Sequence, residues 1–186
     1  MAPLMEQTHG LWLGWPGDAL PGEPEGRARL MREWEDEHGY VAVEIPAKIS
    51  RSFYEGYAND TLWPLLHGFP TRVVFAPESW AAYRSANERF AEAVLSRTRK
   101  NDLIWAHDYQ LMLVPQMIRE GARNAHIGFF LHIPFPSSEV FRILPEREEL
   151  LRGLLGADSL AFQTHGHLHN FRRSLLQVLG LESQMD

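Results

Sequence analysis

The sequence contains no cysteine among its 186 residues, so disulfides, thiolate metal sites and a cysteine nucleophile are excluded. Lysine is also scarce, since Lys48 and Lys100 are the only two. Its apolar runs are all shorter than the roughly 18 residues that a membrane-spanning helix needs. The first ten residues, MAPLMEQTHG, have neither a basic start nor an apolar signal core. Together these absences predict a cytoplasmic protein without a membrane partner.

Several familiar catalytic signatures are absent as well. The chain has no GxSxG, GxGxxG or GxxxxGK[ST] motif, and no HExxH pair or carboxylate cluster. The tract HGHLH at 165–169 resembles a metal-binding stretch, but histidines at a helix start are usually only solvated. We therefore expect neither a metal ion nor a cofactor. The net charge of −6 also argues against a nucleic-acid partner, which would require clustered Lys and Arg.

What the chain does contain is an alternation of short apolar strands and amphipathic helices. At 45% hydrophobic and 23% charged residues, its composition is that of a soluble globular domain. We interpret 16–26 as a loop and 27–38 as a short helix or an insertion, and we expect 49–70 to form two helices divided near 59–60. The predicted strands are 10–15, 40–46, 102–108, 126–133 and 159–164; the other predicted helices are 78–99, 109–121, 145–157 and 167–180. This order predicts an α/β fold with a Rossmann-like, doubly wound parallel sheet.

Polar residues stand at the ends of three successive predicted strands. Asp108 ends the strand 102–108, His132 lies at the end of 126–133, and Gln163 and Thr164 end 159–164. Ligands of doubly wound sheets bind outside the carboxyl ends of the strands, so we expect these side chains to converge on a site. His107 precedes Asp108 directly, and neighbouring strand residues point to opposite faces, so we do not expect these two to act together.

Aromatic residues suggest the kind of ligand. Carboxylates that accept hydrogen bonds from hydroxyl groups, placed beside aromatic walls, suit a sugar, and Asp108 could be combined here with Trp15, Tyr54, Tyr57 and Trp63. Ordinary core packing remains an alternative for the aromatic residues. A satisfied histidine at a strand end remains an alternative for His132.

Four stretches resemble successive motifs of the trehalose-6-phosphate synthases: GLWLGWPGD, FYEGYANDTLWPLLH, WAHDYQLMLVPQMIRE and IGFFLHIPFPSSEVFRILPEREELLRGLLGADSLAFQT. The resemblance extends from about residue 9 to residue 180. It implies a retaining glycosyltransferase of the GT-B type, in which two Rossmann-like domains face a cleft. The implied reaction transfers glucose from UDP-glucose to glucose 6-phosphate, giving trehalose 6-phosphate and UDP.

The resemblance also assigns roles to individual residues. On the acceptor side, Tyr54 and Trp63 correspond to the family's tyrosine and tryptophan at the acceptor sugar. Asp108 corresponds to the aspartate that accepts hydrogen bonds from acceptor hydroxyls. The catalytic candidates are thus His132, which in the family lies beside the donor glucose, and Asp108.

Two further residues complete the expected set. Ile133 matches a position that shapes the pocket for one anomer, and Trp15 matches a tryptophan near the cleft. The family is thought to react at one face of the sugar without a protein nucleophile, so these residues would position the substrates.

Comparison with the family pattern suggests that the chain is partial. A GGL loop for the donor phosphates is expected upstream of Trp15, and a second, nucleotide-sugar domain is expected downstream. We therefore expect residues 1–186 to be a partial, acceptor-side N-terminal domain that lacks its first strand and is inactive alone. Three points stay open: the donor nucleotide (UDP, GDP or ADP), the oligomeric state, and a phosphatase domain in the parent gene.

Two other functions fit the same residues. One is a relative with another acceptor, such as a glucosylglycerol-phosphate synthase or a pseudo-glycosyltransferase. The other is a non-catalytic binding or regulatory relative.

Overall fold

Strands and helices alternate along the residues that the computed structural model describes, which are 7–8, 10–17, 20 and 22–182. The chain divides into two compact units, Met1–Pro46 and Ala47–Asp186. Each unit contains its own parallel sheet. The predicted α/β class with parallel strands is therefore confirmed, and the strands belong to two sheets of two and three strands.

The described part of the first unit contains a strand–helix–strand arrangement. Strand β1 (Trp12–Gly14) and strand β2 (Tyr40–Ala42) pair in parallel, and helix α1 (Pro24–His38) connects them. The helix begins inside the stretch expected to be a loop, because Pro24 suits the first helical turn. It ends at Gly39, whose φ of 66° lies in the left-handed region that terminates helices.

The second unit holds the larger sheet, in which β3, β4 and β5 pair in parallel in that order. Its strands and longer helices lie close to their predicted positions. The elements are α2 (Ala47–Arg51), a π-helical stretch (Ser52–Leu62), α3 (Trp63–Leu66), α4 (Pro77–Leu95), β3 (Leu103–His107), α5 (Val114–Gly121), β4 (His126–Leu131), α6 (Ser138–Phe141), α7 (Arg147–Leu154), β5 (Ser159–Phe162), α8 (His165–Ser174) and a π-helical turn (Leu175–Leu179), with short 3-10 turns at Pro70–Arg72 and Tyr109–Leu111.

The expected break near 59–60 is wrong, because residues 47–66 form one continuous helical run. Its central part is π-helical from Ser52 to Leu62. Phe53, Tyr57 and Ala58 are buried there against the rest of the unit. Tertiary packing therefore overrides the turn preference of the Asn-Asp pair. A π-helix of this length is uncommon, and π-helical segments often occur at functional sites.

The core of the second unit lies between one face of the sheet and its helices. Ile127, Phe129 and Leu131 alternate inward along β4 and are almost fully buried. The turn that follows α7 packs so closely against α5 that a Cβ added at Gly156 would overlap the backbone of Gln116. None of the helices in the described ranges is long and apolar enough to span a bilayer.

Candidate functional site

The carboxyl ends of β3 and β4 are joined by backbone contacts just beyond the strands. The Asp108 N–H donates to the carbonyl oxygen of Phe130 at 2.9 Å, which continues the ladder one residue past β3. Asp108 itself has φ 71° and ψ 170°. Residues other than glycine rarely adopt this backbone conformation, which costs on the order of 1–3 kcal/mol of conformational strain. The chain thus turns sharply at Asp108.

The carboxylate of Asp108 holds this turn together through one of its two oxygens. Oδ1 accepts from the backbone N–H of Tyr109 at 3.0 Å and from that of His132 at 3.2 Å. Within the described part of the chain, Oδ2 has no hydrogen-bond donor. Because the side chain is half-buried, a ligand could reach this second oxygen. The geometry therefore suits the predicted role of accepting a hydroxyl hydrogen bond.

His132 lies where three strand ends meet. Its imidazole is exposed, and its Nε2 lies 3.0 Å from Nδ1 of His107. Its carbonyl oxygen accepts from Nε2 of Gln163 at 2.6 Å. The structure thus brings together Asp108, His132 and Gln163, as the strand-end pattern predicts. Thr164 does not join them, because its Oγ1 accepts from the His167 N–H and caps α8.

His107 is a member of this cluster that the sequence pattern did not identify. His107 and Asp108 both contact His132, the first at its ring and the second at its backbone N–H, whereas the expectation that they do not act together as a chemical pair stays a prediction. The strand ends at His107, and the positive φ of Asp108 breaks the alternation on which the expectation relied. A usable signal did exist. His107 pairs with Phe130 in the parallel register, so His132, two residues further, lies on the same face.

Electrostatics favour an uncharged His107. Burial lowers the pKa of the His107 imidazole, and the neighbouring His132 lowers it further, while Asp108 acts in the opposite direction. The short separation of the two rings has the same consequence, since two imidazolium groups 3.0 Å apart would repel strongly.

The π-helical stretch is attached to the strand ends through Tyr109. The Tyr109 hydroxyl donates to Oδ1 of Asn59 at 2.9 Å. Burial, with smaller contributions from Tyr54 and Asp108, raises the pKa of Tyr109 to about 12. Tyr54 lies within electrostatic reach of this hydroxyl and is 40% exposed. Tyr54 therefore lies near the Tyr109 hydroxyl, and its exposure does not support the core-packing alternative.

The other predicted aromatic residues make contacts of their own. Trp63 is 41% exposed, and its ring stacks on that of His67 with centroids 4.0 Å apart. Tyr57 is buried and its hydroxyl donates to Glu146 at 3.0 Å, so it belongs to the core. Burial raises the pKa of Tyr57.

The last two predicted site residues follow strands directly. Ile133 is half-buried and comes straight after His132. Trp15 is half-buried and follows β1 in the first unit, whereas the other site residues belong to the second. Among the residues with a described structure, no group of three or more His, Asp or Glu side chains is arranged to hold a metal ion.

These features define a class of protein: a Rossmann-like α/β protein with carboxylate, imidazole and amide groups at the carboxyl ends of its parallel strands, beside an exposed tyrosine. Proteins of this class bind small molecules at that edge. The chain matches the model of glycosyltransferase family 20 over residues 1–186, and it belongs to that family.

Similar proteins agree with this assignment. The chain is 43% identical to alpha,alpha-trehalose-phosphate synthase [UDP-forming] 1 of Aspergillus fumigatus, over 97% of this chain and 36% of that protein. The structure of a UDP-forming alpha,alpha-trehalose-phosphate synthase of Burkholderia xenovorans superposes with a TM-score of 0.84 at 29% identity, covering 99% of this chain and 40% of that one. A second structure from B. xenovorans, in complex with glucose 6-phosphate, gives 0.81 at 29% identity over 95% and 38%.

The matches confirm the predicted family and the GT-B-type α/β fold. The chain spans 36% of the length of the A. fumigatus relative and 40% of the length of the B. xenovorans chain.

Proposed function

We propose that this chain forms the acceptor-side part of an α,α-trehalose-phosphate synthase. In the proposed reaction, glucose passes from UDP-glucose to glucose 6-phosphate with retention of configuration, giving trehalose 6-phosphate and UDP. The observation that carries the proposal is the Asp108–His132 contact, in which Oδ2 of Asp108 has no donor among the described residues and lies beside an exposed imidazole. The proposal is supported by 43% identity to a UDP-forming synthase.

On the acceptor side, Asp108 and Tyr54 would bind glucose 6-phosphate. A carboxylate oxygen accepts a sugar hydroxyl through a charge-assisted hydrogen bond, which contributes about 1.5–3 kcal/mol. An exposed aromatic ring beside it offers an apolar wall for the sugar, and Trp63 on the same helical run would extend that wall. Asp108 is pre-positioned for this role because its Oδ1 is already tied to two backbone N–H groups.

On the donor side, His132 would orient the glucose of UDP-glucose, with Ile133 shaping the pocket around the reacting carbon. Transfer requires the two sugars to be held at roughly 3–3.5 Å in a water-poor cleft. The contribution of these residues would be positioning, since neither His132 nor Asp108 needs to form a covalent bond to glucose.

Acceptor binding can be tested on this chain by NMR titration with glucose 6-phosphate. Asp108→Asn keeps one side-chain oxygen, replaces the other with an NH2 group and removes the negative charge. We therefore expect at least tenfold weaker binding of glucose 6-phosphate, about 1.4 kcal/mol. Asp102→Asn is the matched control, because Asp102 precedes β3 and Asp108 follows it. Equal affinity in Asp108→Asn and the wild type would contradict the assigned role.

The same titration separates the alternative functions. Preferential binding of glycerol 3-phosphate would favour a glucosylglycerol-phosphate synthase. Absence of binding for both phosphates would favour a non-catalytic relative. Titration with UDP-, GDP- and ADP-glucose would address the donor nucleotide.

We further propose that this chain alone does not complete the reaction, because it spans only 36% of the length of the A. fumigatus synthase. Incubation with UDP-glucose and glucose 6-phosphate should release no UDP above the rate without protein. Turnover comparable to that of an intact synthase would show that this proposal is wrong. The cytoplasmic location and the division into an acceptor-side domain over 1–186 stay predictions.

A further inference from the structure

The side chain of His132 contacts two other rings although it is exposed to solvent. Nδ1 of His107 lies 3.0 Å from its Nε2, and the two rings are near-parallel, at 30° with centroids 5.2 Å apart. The centroid of the Phe130 ring lies 4.6 Å from that of His132. An exposed surface histidine would ordinarily rotate among several rotamers.

The backbone of His132 is fixed as well. Its N–H donates to Asp108, and its carbonyl oxygen accepts from Gln163. Both contacts come from neighbouring strand ends, so the Cα of His132 has a defined position relative to β3 and β5. What remains to be defined is the ring orientation and the position of its proton. Only His107 contacts a ring nitrogen of His132 within the described residues.

A hydrogen bond between two imidazoles constrains both rings. One nitrogen must carry the proton and the other must offer its lone pair. If Nε2 of His132 accepts, then neutral His132 must carry its proton on Nδ1; if Nε2 donates, Nδ1 must be the acceptor. The contact therefore couples the tautomers of the two histidines, because the proton position on one ring determines the proton position on the other.

We propose that His107 is a positioning residue that holds the ring orientation of His132 and couples the tautomer of His132 to its own, for binding the donor sugar. The proposal rests on the proposed function in that His132 is taken to contact a sugar hydroxyl. A hydroxyl can donate or accept, so a fixed tautomer determines which of its hydrogen bonds His132 satisfies. His107 itself need not touch the substrate.

The test measures the tautomer directly, in this chain and without substrate. ¹⁵N NMR of the imidazole nitrogens of His132 should show one protonated and one unprotonated nitrogen in the wild type at neutral pH. In His107→Phe, which retains a ring but no nitrogen, the two signals should shift toward the averaged values of mixed tautomers. His107→Asn places an amide near the position of Nδ1, so it should restore most of the separation.

A control variant and a folding measurement complete the test. His126→Phe removes an exposed histidine at the opposite end of β4 and should leave the His132 signals unchanged. If His107→Phe does not fold, His107→Ala replaces it, because alanine also lacks a ring nitrogen, and the same shift of the His132 signals toward mixed tautomers is expected. Unchanged His132 nitrogen signals in folded His107→Phe would overturn the proposal.

The outcome is distinguishable from failure of the proposed function. A change of tautomer in His107→Phe, together with no sugar-phosphate binding by any variant, would support the positioning role and contradict the function. Sugar-phosphate binding by the wild type, together with an unchanged tautomer in His107→Phe, would support the function and overturn the positioning role.

Discussion

The two ends of the three-stranded sheet use polar side chains in different ways. At the amino ends of β4 and β5, Arg119 and Asp158 form a closed network. Asp158 accepts from Arg119 at 2.8 Å through Oδ1 and from the Ile127 N–H at 2.8 Å through Oδ2. The remaining Arg119 donors bind carbonyl oxygens, those of Gly156, Arg123 and Ala125, at 3.1, 2.8 and 2.7 Å.

At the carboxyl ends, the residues that the structure describes satisfy the hydrogen-bonding groups of Asp108 and His132 only in part. Asp108 uses one oxygen for two backbone N–H groups, and His132 is exposed. The backbone at Asp108 is strained, whereas the network around Arg119 involves regular strand starts. The comparison teaches that charge alone does not identify a site. The amino end uses its charged groups to hold the fold, and the carboxyl end retains hydrogen-bonding capacity for a ligand.

The largest loss of stability is expected from disrupting the close packing of Gly156 against Gln116 and Pro115, near the amino end of β5. Gly156→Ala should lower the free energy of unfolding by more than about 3 kcal/mol, because its Cβ would meet the backbone of Gln116 and Pro115, which cannot move aside easily. Urea denaturation followed by circular dichroism measures this change. Gly166→Ala, whose Cβ would have ordinary contact with Thr164 only, should be near neutral. Equal unfolding midpoints for the two variants would show that the close approach is unimportant.

The second effect concerns the Arg119 network itself. Arg119→Ala should cost about 3 kcal/mol of stability, because three carbonyl oxygens and Asp158 lose a charged donor. Glucose 6-phosphate binding by the folded fraction should not change. Arg123→Ala is the matched control and should cost less than about 0.5 kcal/mol, since only the Arg123 carbonyl takes part. A loss of binding in folded Arg119→Ala would remove the distinction between the two ends.

A smaller effect is expected at the strained carboxyl end. Asp108→Ala keeps the strain and loses two hydrogen bonds, whereas Asp108→Gly loses the same bonds but relieves the strain. Relief of about 1–3 kcal/mol exceeds the roughly 0.5–1 kcal/mol that glycine costs through chain entropy, so the glycine variant should be more stable by about 1 kcal/mol. Thermal and urea unfolding of the pair would measure the difference. Neither variant should bind glucose 6-phosphate like the wild type; an alanine variant as stable as the glycine variant would mean that the backbone is unstrained.

The fold was largely predictable because apolar runs mark buried strands. All five strands lie within their predicted segments, although each is shorter, since pairing ends before the apolar run does. The π-helical run at 52–62 could not be predicted, because it results from tertiary packing. At the site, Asp108, His132 and Gln163 followed from the strand-end rule. His107 was missed because an aspartate in the sequence does not indicate a positive φ, as a glycine would. The Arg119 network was missed because most of its acceptors are backbone carbonyls, which the sequence does not distinguish.

The smallest expected effect separates the two ends by pH. Asp158 accepts from the Ile127 N–H and from Arg119, which hold the pKa of its carboxyl below the ordinary value despite some opposing burial. The folded protein therefore favours the ionised form. This contribution is present above about pH 4 and is lost as the pH falls through the lowered pKa. Because Asp158 is largely exposed, screening limits it to about 0.5 kcal/mol.

Protonation linked to His107 also lowers the free energy of unfolding as the pH falls, but in a higher pH range than protonation of Asp158. Burial and His132 lower its pKa, with Asp108 opposing, so the unfolded chain takes up a proton below about pH 6.5 that the folded protein does not. Stability at the carboxyl end should then decrease as the pH falls below about 6.5, before the amino end responds. Urea midpoints at a series of pH values would show both steps. His107→Asn should flatten the upper step alone and Asp158→Asn the lower step alone. If either substitution flattened both, the two ends would be coupled, and the contrast between a structural end and a ligand-binding end of one sheet would not hold.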